Sequence, residues 1–277
     1  MSNRWSQNAG LIGVDGQALF GVHNLRSVRQ RVLDGNWTNA VINQSYTPTH
    51  ETITLTEDVS GGTHSVQTPV SLNLQYIGNA SSGNLTSGSS HTFTSQPIGT
   101  AASDRYVIVG CASYAANSAG LVSITIGGAA ATPLRAYHST TAGVALVTRN
   151  TQTGSTADIV LNINTASTDW NLAIAVWTVN ASSFFYSADD ATTGNITLSS
   201  NARGCPLIGV GMNVNGTAGT SSITNADSVT ERFDFDIRSN EWFCGVDGVS
   251  NVPFGGSHTI DSGDASRRVA VMITDFA

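Results

Sequence analysis

The stretch "SITIGGAAATPLRAY" (Ser123–Tyr137) decides how this chain is read. Ile124 and Ile126 alternate with Ser123 and Thr125, a glycine pair follows, and a second extended run, "TPLRAY", comes after it. Alternation of polar and apolar residues marks a half-buried β-strand. Gly127 and Gly128 supply the positive φ that a tight two-residue hairpin demands. The stretch holds no carboxylate and no cysteine, so the glycines read as a hairpin turn and not as a cradle for a ligand.

Outward from this stretch the pattern persists. Between His91 and Val179 lie "HTFTSQPI", "RYVIVGCAS", "LVSITIGG", "TPLRAYHS", "GVALVTRN", "ADIVLNIN" and "LAIAVWTV", with turn residues between them and no helical pattern. Short strands at this spacing predict a β-sandwich and not an α/β fold. After "SSFFYSADDATTG" a second series begins, from "NITLSS" to "RVAVMITDF". "VIVGCA" lines up with "LIGVGM", "SITIGG" with "SITNAD", "PLRAY" with "RFDFD" and "LAIAVWTV" with "VAVMITDF", at an offset near a hundred residues. This is the mark of an internal duplication.

The expected fold is all-β: two tandem or packed β-sandwich repeats, of jelly-roll or Ig-like type, preceded by a mostly extended N-terminal arm with one short helix. The expected boundaries are 1–65 for the arm, 66–181 for the first repeat and 182–277 for the second. Two sandwiches are preferred to one large jelly-roll-like sandwich because each half has enough alternating apolar residues for two inner faces. The helix is predicted in "NLRSVRQRVLDG", where Leu25, Val28 and Val32 share a face, Asn24 caps the start and Gly35 ends it. The second copy lacks the double glycine, so it is expected to turn differently near Asn225 and Ala226.

Composition narrows the function. Only 11% of residues are charged, against roughly 25% in an average soluble domain, and none is lysine. A net charge of −7 argues against a nucleic-acid partner, which needs a dense basic face. Residues 1–34 differ from the rest: Arg4, Arg26, Arg29 and Arg31 stand against Asp15 and Asp34. These four arginines are the candidate docking residues of the arm. Cys111, Cys205 and Cys244 have no metal-site spacing and read as buried thiols. The start has no signal pattern and no apolar run approaches the roughly 20 residues of a membrane span, so no membrane insertion is expected.

The search for chemistry ends without a site. A glycosidase needs two carboxylates across a cleft, and Asp189 with Asp190 or Asp234 with Asp236 are the local candidates. In "ERFDFDIR", alternation sends Phe233, Phe235 and Ile237 inward and Arg232, Asp234, Asp236 and Arg238 outward, where opposite charges can pair along a solvated face. The six histidines are scattered, "DFDIRSNE" lacks the glycine and third oxygen of a calcium loop, and neither a GxSxG elbow nor a Walker loop occurs. No catalytic residue, cofactor or metal is expected, and the chain is not read as an enzyme. Among the aromatic residues that could stack on a sugar, Trp170 remains open, while Trp177 and Trp242 read as core. Phe184, Phe185 and Tyr186, between the halves, read as inter-repeat contacts.

The run "DRYVIVGCAS", "VSITIGGAAATPLRAY" and, after a gap, "NLAIAVWTVNA" resembles a repeat of tail, fibre and decoration proteins of tailed bacteriophages. The likeness covers residues 85–181, and 195–277 through the duplication. It implies a virion structural protein of tail-fibre, spike or capsid-decoration type, located in the virion. The partners would be other virion proteins, further copies of this chain and a host cell-surface glycan. The alternatives weighed are a carbohydrate-binding module or receptor-binding head, and a polysaccharide-degrading enzyme.

Overall fold

The computed structural model describes residues 53–56, 63–66, 72–115, 120–139, 141–164, 169–192, 194–214, 216, 219–238, 240–263 and 267–275. Arg4, Arg26, Arg29, Arg31 and the expected short helix lie outside the described residues. The chain divides between Thr68 and Pro69. Before the division, β1 (Ile53–Thr56) and β2 (Thr63–Val66) pair antiparallel.

After it, the first repeat contains β3 (Gln75–Ser81), β4 (Ser90–Pro97), β5 (Arg105–Ala115), β6 (Leu121–Ile126), β7 (Ala129–Ala130), β8 (Thr132–His138), β9 (Ala142–Asn150), β10 (Thr156–Ile163) and β11 (Trp170–Asn180). The second contains β12 (Phe185–Ala191), β13 (Ile196–Ser199), β14 (Pro206–Val214), β15 (Ser221–Ile223), β16 (Ala226–Arg238), β17 (Glu241–Ser250), β18 (Ser257–Ser262) and β19 (Arg267–Thr274). The fold is all-β, as the alternation predicted, with antiparallel sheets packed on one another.

Four sheets form four layers. The outer sheet β4-β10-β6-β7 packs on β3-β11-β5-β9-β8 around Phe93, Val109, Ile159, Leu161 and Trp170. The sheet β12-β19-β14-β17-β16 packs in turn on the outer sheet β13-β18-β15 around Leu198, Leu207, Ile260 and Met272. A third core, with Ile108, Leu146 and Trp177 from one side and Ile208, Phe243 and Val271 from the other, joins the two five-stranded sheets. The central strands are therefore covered on both faces. That is why β11, "WNLAIAVWTVN", is buried at every position but its last, whereas the outer strand β13 alternates buried and exposed residues.

The two five-stranded sheets have the same order when β3, β11, β5, β9 and β8 are matched to β12, β19, β14, β17 and β16. In the outer sheets β4, β10 and β6 match β13, β18 and β15. Across the middle layer β8 touches β12 and β19, β16 touches β3 and β11, and β5 touches β14. Exchanging the repeats turns each of these contacts into another of the set, which is the property of an approximate two-fold axis at β5 and β14.

Two expectations are corrected in detail. Val107 pairs with Thr178 as Leu207 pairs with Met272, so β19 lies three residues away from the sequence alignment of "LAIAVWTV" with "VAVMITDF". An odd slip reverses the faces: Leu172 points into the first sandwich and Val269 into the middle layer. A strand apolar on both faces carries no phase from which to fix its register. The opening stretch also does more than make one hairpin. Gly127 (φ 57°) and Gly128 (φ 78°) form the two-residue turn, but the return strand β7 is only two residues long. The chain then crosses to the other sheet as β8, where Pro133, which has no N–H to give, sits on an edge strand. In the second copy Asn225 (φ 57°) alone is left-handed among the turn residues Thr224 and Asn225, and the chain enters β16 directly.

Candidate functional site

A polar grouping that draws on both repeats lies in the middle layer. Trp177 on β11 faces β17, and its indole N–H donates to Asp247 Oδ2 at 2.8 Å. The Arg232 Nε–H on β16 donates to the same oxygen at 2.7 Å, and the Asp247 side chain is only 4% exposed. Tyr76 completes the group, with its ring 5.5 Å from that of Trp177 and the Arg232 guanidinium 5.7 Å from its centroid. Alternation had sent Arg232 to solvent beside Asp234. The register shift between Glu231 and Phe233 is a β-bulge, and it re-aims the arginine inward. Arg238, likewise expected to pair along its own strand, bonds Asp169 at the start of the first repeat's β11.

Close backbone approach makes the layer possible. A Cβ on Gly245 would lie 2.3 Å from the Phe233 ring, and one on Gly110 would lie 2.9 Å from Val210 Cγ1. The second contact joins the two repeats, and the first lets Phe233 lie flat across its neighbouring strand β17. Asp247 is buried and already accepts two charge-assisted or polar hydrogen bonds, so it serves as an anchor.

The remaining candidate residues fall in several places. Phe184 stacks on Tyr106 at 4.6 Å and packs against the middle layer, whereas Phe185 (53% exposed) and Tyr186 (43%) stand largely at the surface. Asp189 and Asp190 lie on β12 and both meet Arg135 of β8, Asp189 at 3.6 Å. Asp234 lies opposite Cys244, and its carboxyl is pushed up to about 6 by burial and then by Glu231. Asp236 is exposed and accepts from the Arg238 N–H at 2.8 Å. Trp170 and Trp177 are buried, which removes both from any sugar-stacking surface, and Trp242 is half-buried. All three cysteines are free and buried, and burial pushes their thiols up, that of Cys244 to about 12.

Among the described residues, no group of three or more His, Cys, Asp or Glu is placed to hold a metal ion. No family model matches the chain, and neither a curated protein nor a solved structure matches it. Asp247 is the residue that sequence reasoning missed. A lone aspartate in "CGVDGVS" gives no sign that two strands of different repeats converge on it.

Proposed function

We propose that the protein is a structural component of a bacteriophage virion, of tail-fibre, spike or capsid-decoration type, acting by assembly and by attachment to the host surface. The observation that carries this reading is the middle layer: two sandwiches share one continuous buried core and so behave as a single rigid block. Such a block, weakly charged and with inert thiols, suits a particle exposed outside the cell. The resemblance of residues 85–181 to phage repeats supports the same reading.

Three edge strands are built against open-ended addition. β8 carries Pro133 and a bulge, β4 carries a left-handed Ser95 (φ 52°), and β16 has three register shifts. Bulges, proline and kinks of this kind blunt strand-to-strand addition, which leaves faces and loops for contact with neighbours.

The test is incorporation. Full-length protein is expected to co-sediment with particles and to be oligomeric in solution, and a chain lacking residues 1–34 is expected to be left out. A monomer that never enters particles would overturn the reading, and normal incorporation of the truncated chain would remove the docking role of Arg4, Arg26, Arg29 and Arg31. A receptor-binding head is the second reading, favoured by a cleft in the first repeat whose polar lining, Asn73, Gln75, Thr100, Thr178 and Asn180, carries no charge.

A further inference from the structure

We infer that the first repeat carries a cleft for an acetamido sugar, at a corner that the second repeat closes with its own side chain. Strand pairing sets the two corners in register. Thr178 pairs with Val107 and Gln75, and Met272 pairs with Leu207 and Ser187. Two residues further along each strand, Asn180 stands where Thr274 does. Counted back from Val107 and Leu207, Ala101 stands where Asn201 does.

In the second repeat Asn201 fills the corner. Its Nδ2 donates to Thr274 Oγ1 at 3.0 Å and to Ser187 Oγ at 3.5 Å, and its backbone N–H points to Met272 Sδ at 3.3 Å. In the first repeat the corresponding alanine cannot reach across, and a cleft of ≈ 240 Å³ lies open. Gln75, Thr178 and Asn180, the counterparts of the three partners of Asn201, line it together with Asn73, Thr100 and Ala101.

The lining specifies the ligand. It offers three carboxamides, two hydroxyls and methyl groups, and no ionisable side chain. A charged ligand would lose water without gaining a counter-charge, and a wholly apolar one would strand the amides. The second repeat satisfies the same corner with a carboxamide. An acetamido group presents the same planar amide, with its methyl for Ala101, and the neighbouring ring hydroxyls suit carboxamides, each of which both donates and accepts. The cleft is also preformed. Arg105, only 1% exposed, donates to the carbonyls of Gly99 and Thr151 at 2.7 Å and of Thr153 and Gly154 at 2.9 Å, and so fixes the loop that bears Thr100 and Ala101. A fixed loop spares the ordering cost of binding.

This inference goes beyond the assembly reading and stands apart from it, since binding is measured on the isolated protein and incorporation on particles. The experiment is a titration of the full chain with N-acetylglucosamine and with glucose, followed by amide chemical shifts. N-acetylglucosamine is expected to shift residues 73–75, 100–102 and 178–180 saturably, and glucose to bind at least tenfold more weakly. Ala101→Asn, which installs the second repeat's plug, is expected to weaken binding at least tenfold at an unchanged melting temperature. Should that variant melt lower, Gln75→Ala on the exposed strand supplies the same comparison. Absence of shifts at these residues, equal binding of glucose, or wild-type affinity in both variants would overturn the inference.

Discussion

The inner faces of β10 and β18 occupy the same place in the two sandwiches and are built in opposite ways. β10 offers Ile159, Leu161 and Ile163, and β18 offers His258, Ile260 and Ser262, all of them buried. The first sandwich is filled by large side chains, Phe93 and Trp170 among them. The second is closed by three strands only, and its sheets approach until a Cβ on Gly209 would lie 2.4 Å from Ile260 Cγ2. One exchange moves a thiol from one strand of a pair to the other. Cys111 faces Ala145 in the first copy and donates to its carbonyl at 3.5 Å, whereas in the second Cys244 faces Gly211 at 3.4 Å from that carbonyl and lies nearer the Ser262 carbonyl, at 2.8 Å. Strand order has therefore survived while core chemistry diverged. The layer the copies share is largely apolar, with the Asp247 group as its buried polar centre.

The largest expected effect breaks that shared layer where the copies differ most. The first copy has Thr148 in the place of Asp247, bonded only to its neighbouring strand. Asp247→Thr strands Arg232 and the Trp177 indole, and is expected to lower the unfolding free energy in urea by about 3–5 kcal/mol. Next comes the pair that defines the contrast. Ile159→Ala should cost about 2–5 kcal/mol as a cavity in the filled sandwich. His258→Ile should move the other way by about 1–3 kcal/mol, because His258 is fully buried, with Nδ1 near the Thr224 carbonyl at 3.2 Å and Nε2 without a partner. A loss of stability in His258→Ile would mean that the second core depends on its imidazole.

Smaller effects separate the turns and the titrating groups. Gly127→Ala forces a side chain into the left-handed region and is expected to cost about 1–2 kcal/mol, while Asn225→Gly, at a position already left-handed, should change the melting temperature hardly at all. The last test is pH. The Asp234 carboxyl is raised from 3.8 to about 6, so the folded state holds its proton more tightly than the unfolded state. Its contribution to stability is complete below the lower value and lost as pH rises through about 6. The melting temperature should therefore fall between these values, and Asp234→Asn should flatten the decline.

Much of this architecture was legible in the sequence, and what was missed was missed for identifiable reasons. Alternation in the outer strands and the glycine pair announced the sandwich and its turn. The duplication was read from four matched segments, while the order of strands in the sheets was not read at all. The register of β19 was not legible, because a strand buried on both faces looks the same after a slip. Nor was the inward turn of Arg232, since a bulge leaves no mark in a period of two. Phe184, Phe185 and Tyr186 read as one cluster, yet only the first packs into the middle layer. The cleft is visible only once Ala101 and Asn201 are known to stand at equivalent corners, which strand pairing establishes and sequence identity does not.

At the approximate two-fold axis Gly110 lies against Val210. In a pair of identical halves, a residue on the axis would have to face itself. Here the two equivalent positions differ, and the missing side chain at Gly110 makes room for Val210. Ser182 and Ser183, whose N–H groups donate to the Asp275 carboxylate at 2.7 and 2.9 Å, hold the connection between the halves short and fixed. A large apolar face of each half is thus already covered within one chain, which leaves the outer sheets and their connecting loops as the surfaces turned away from the shared layer.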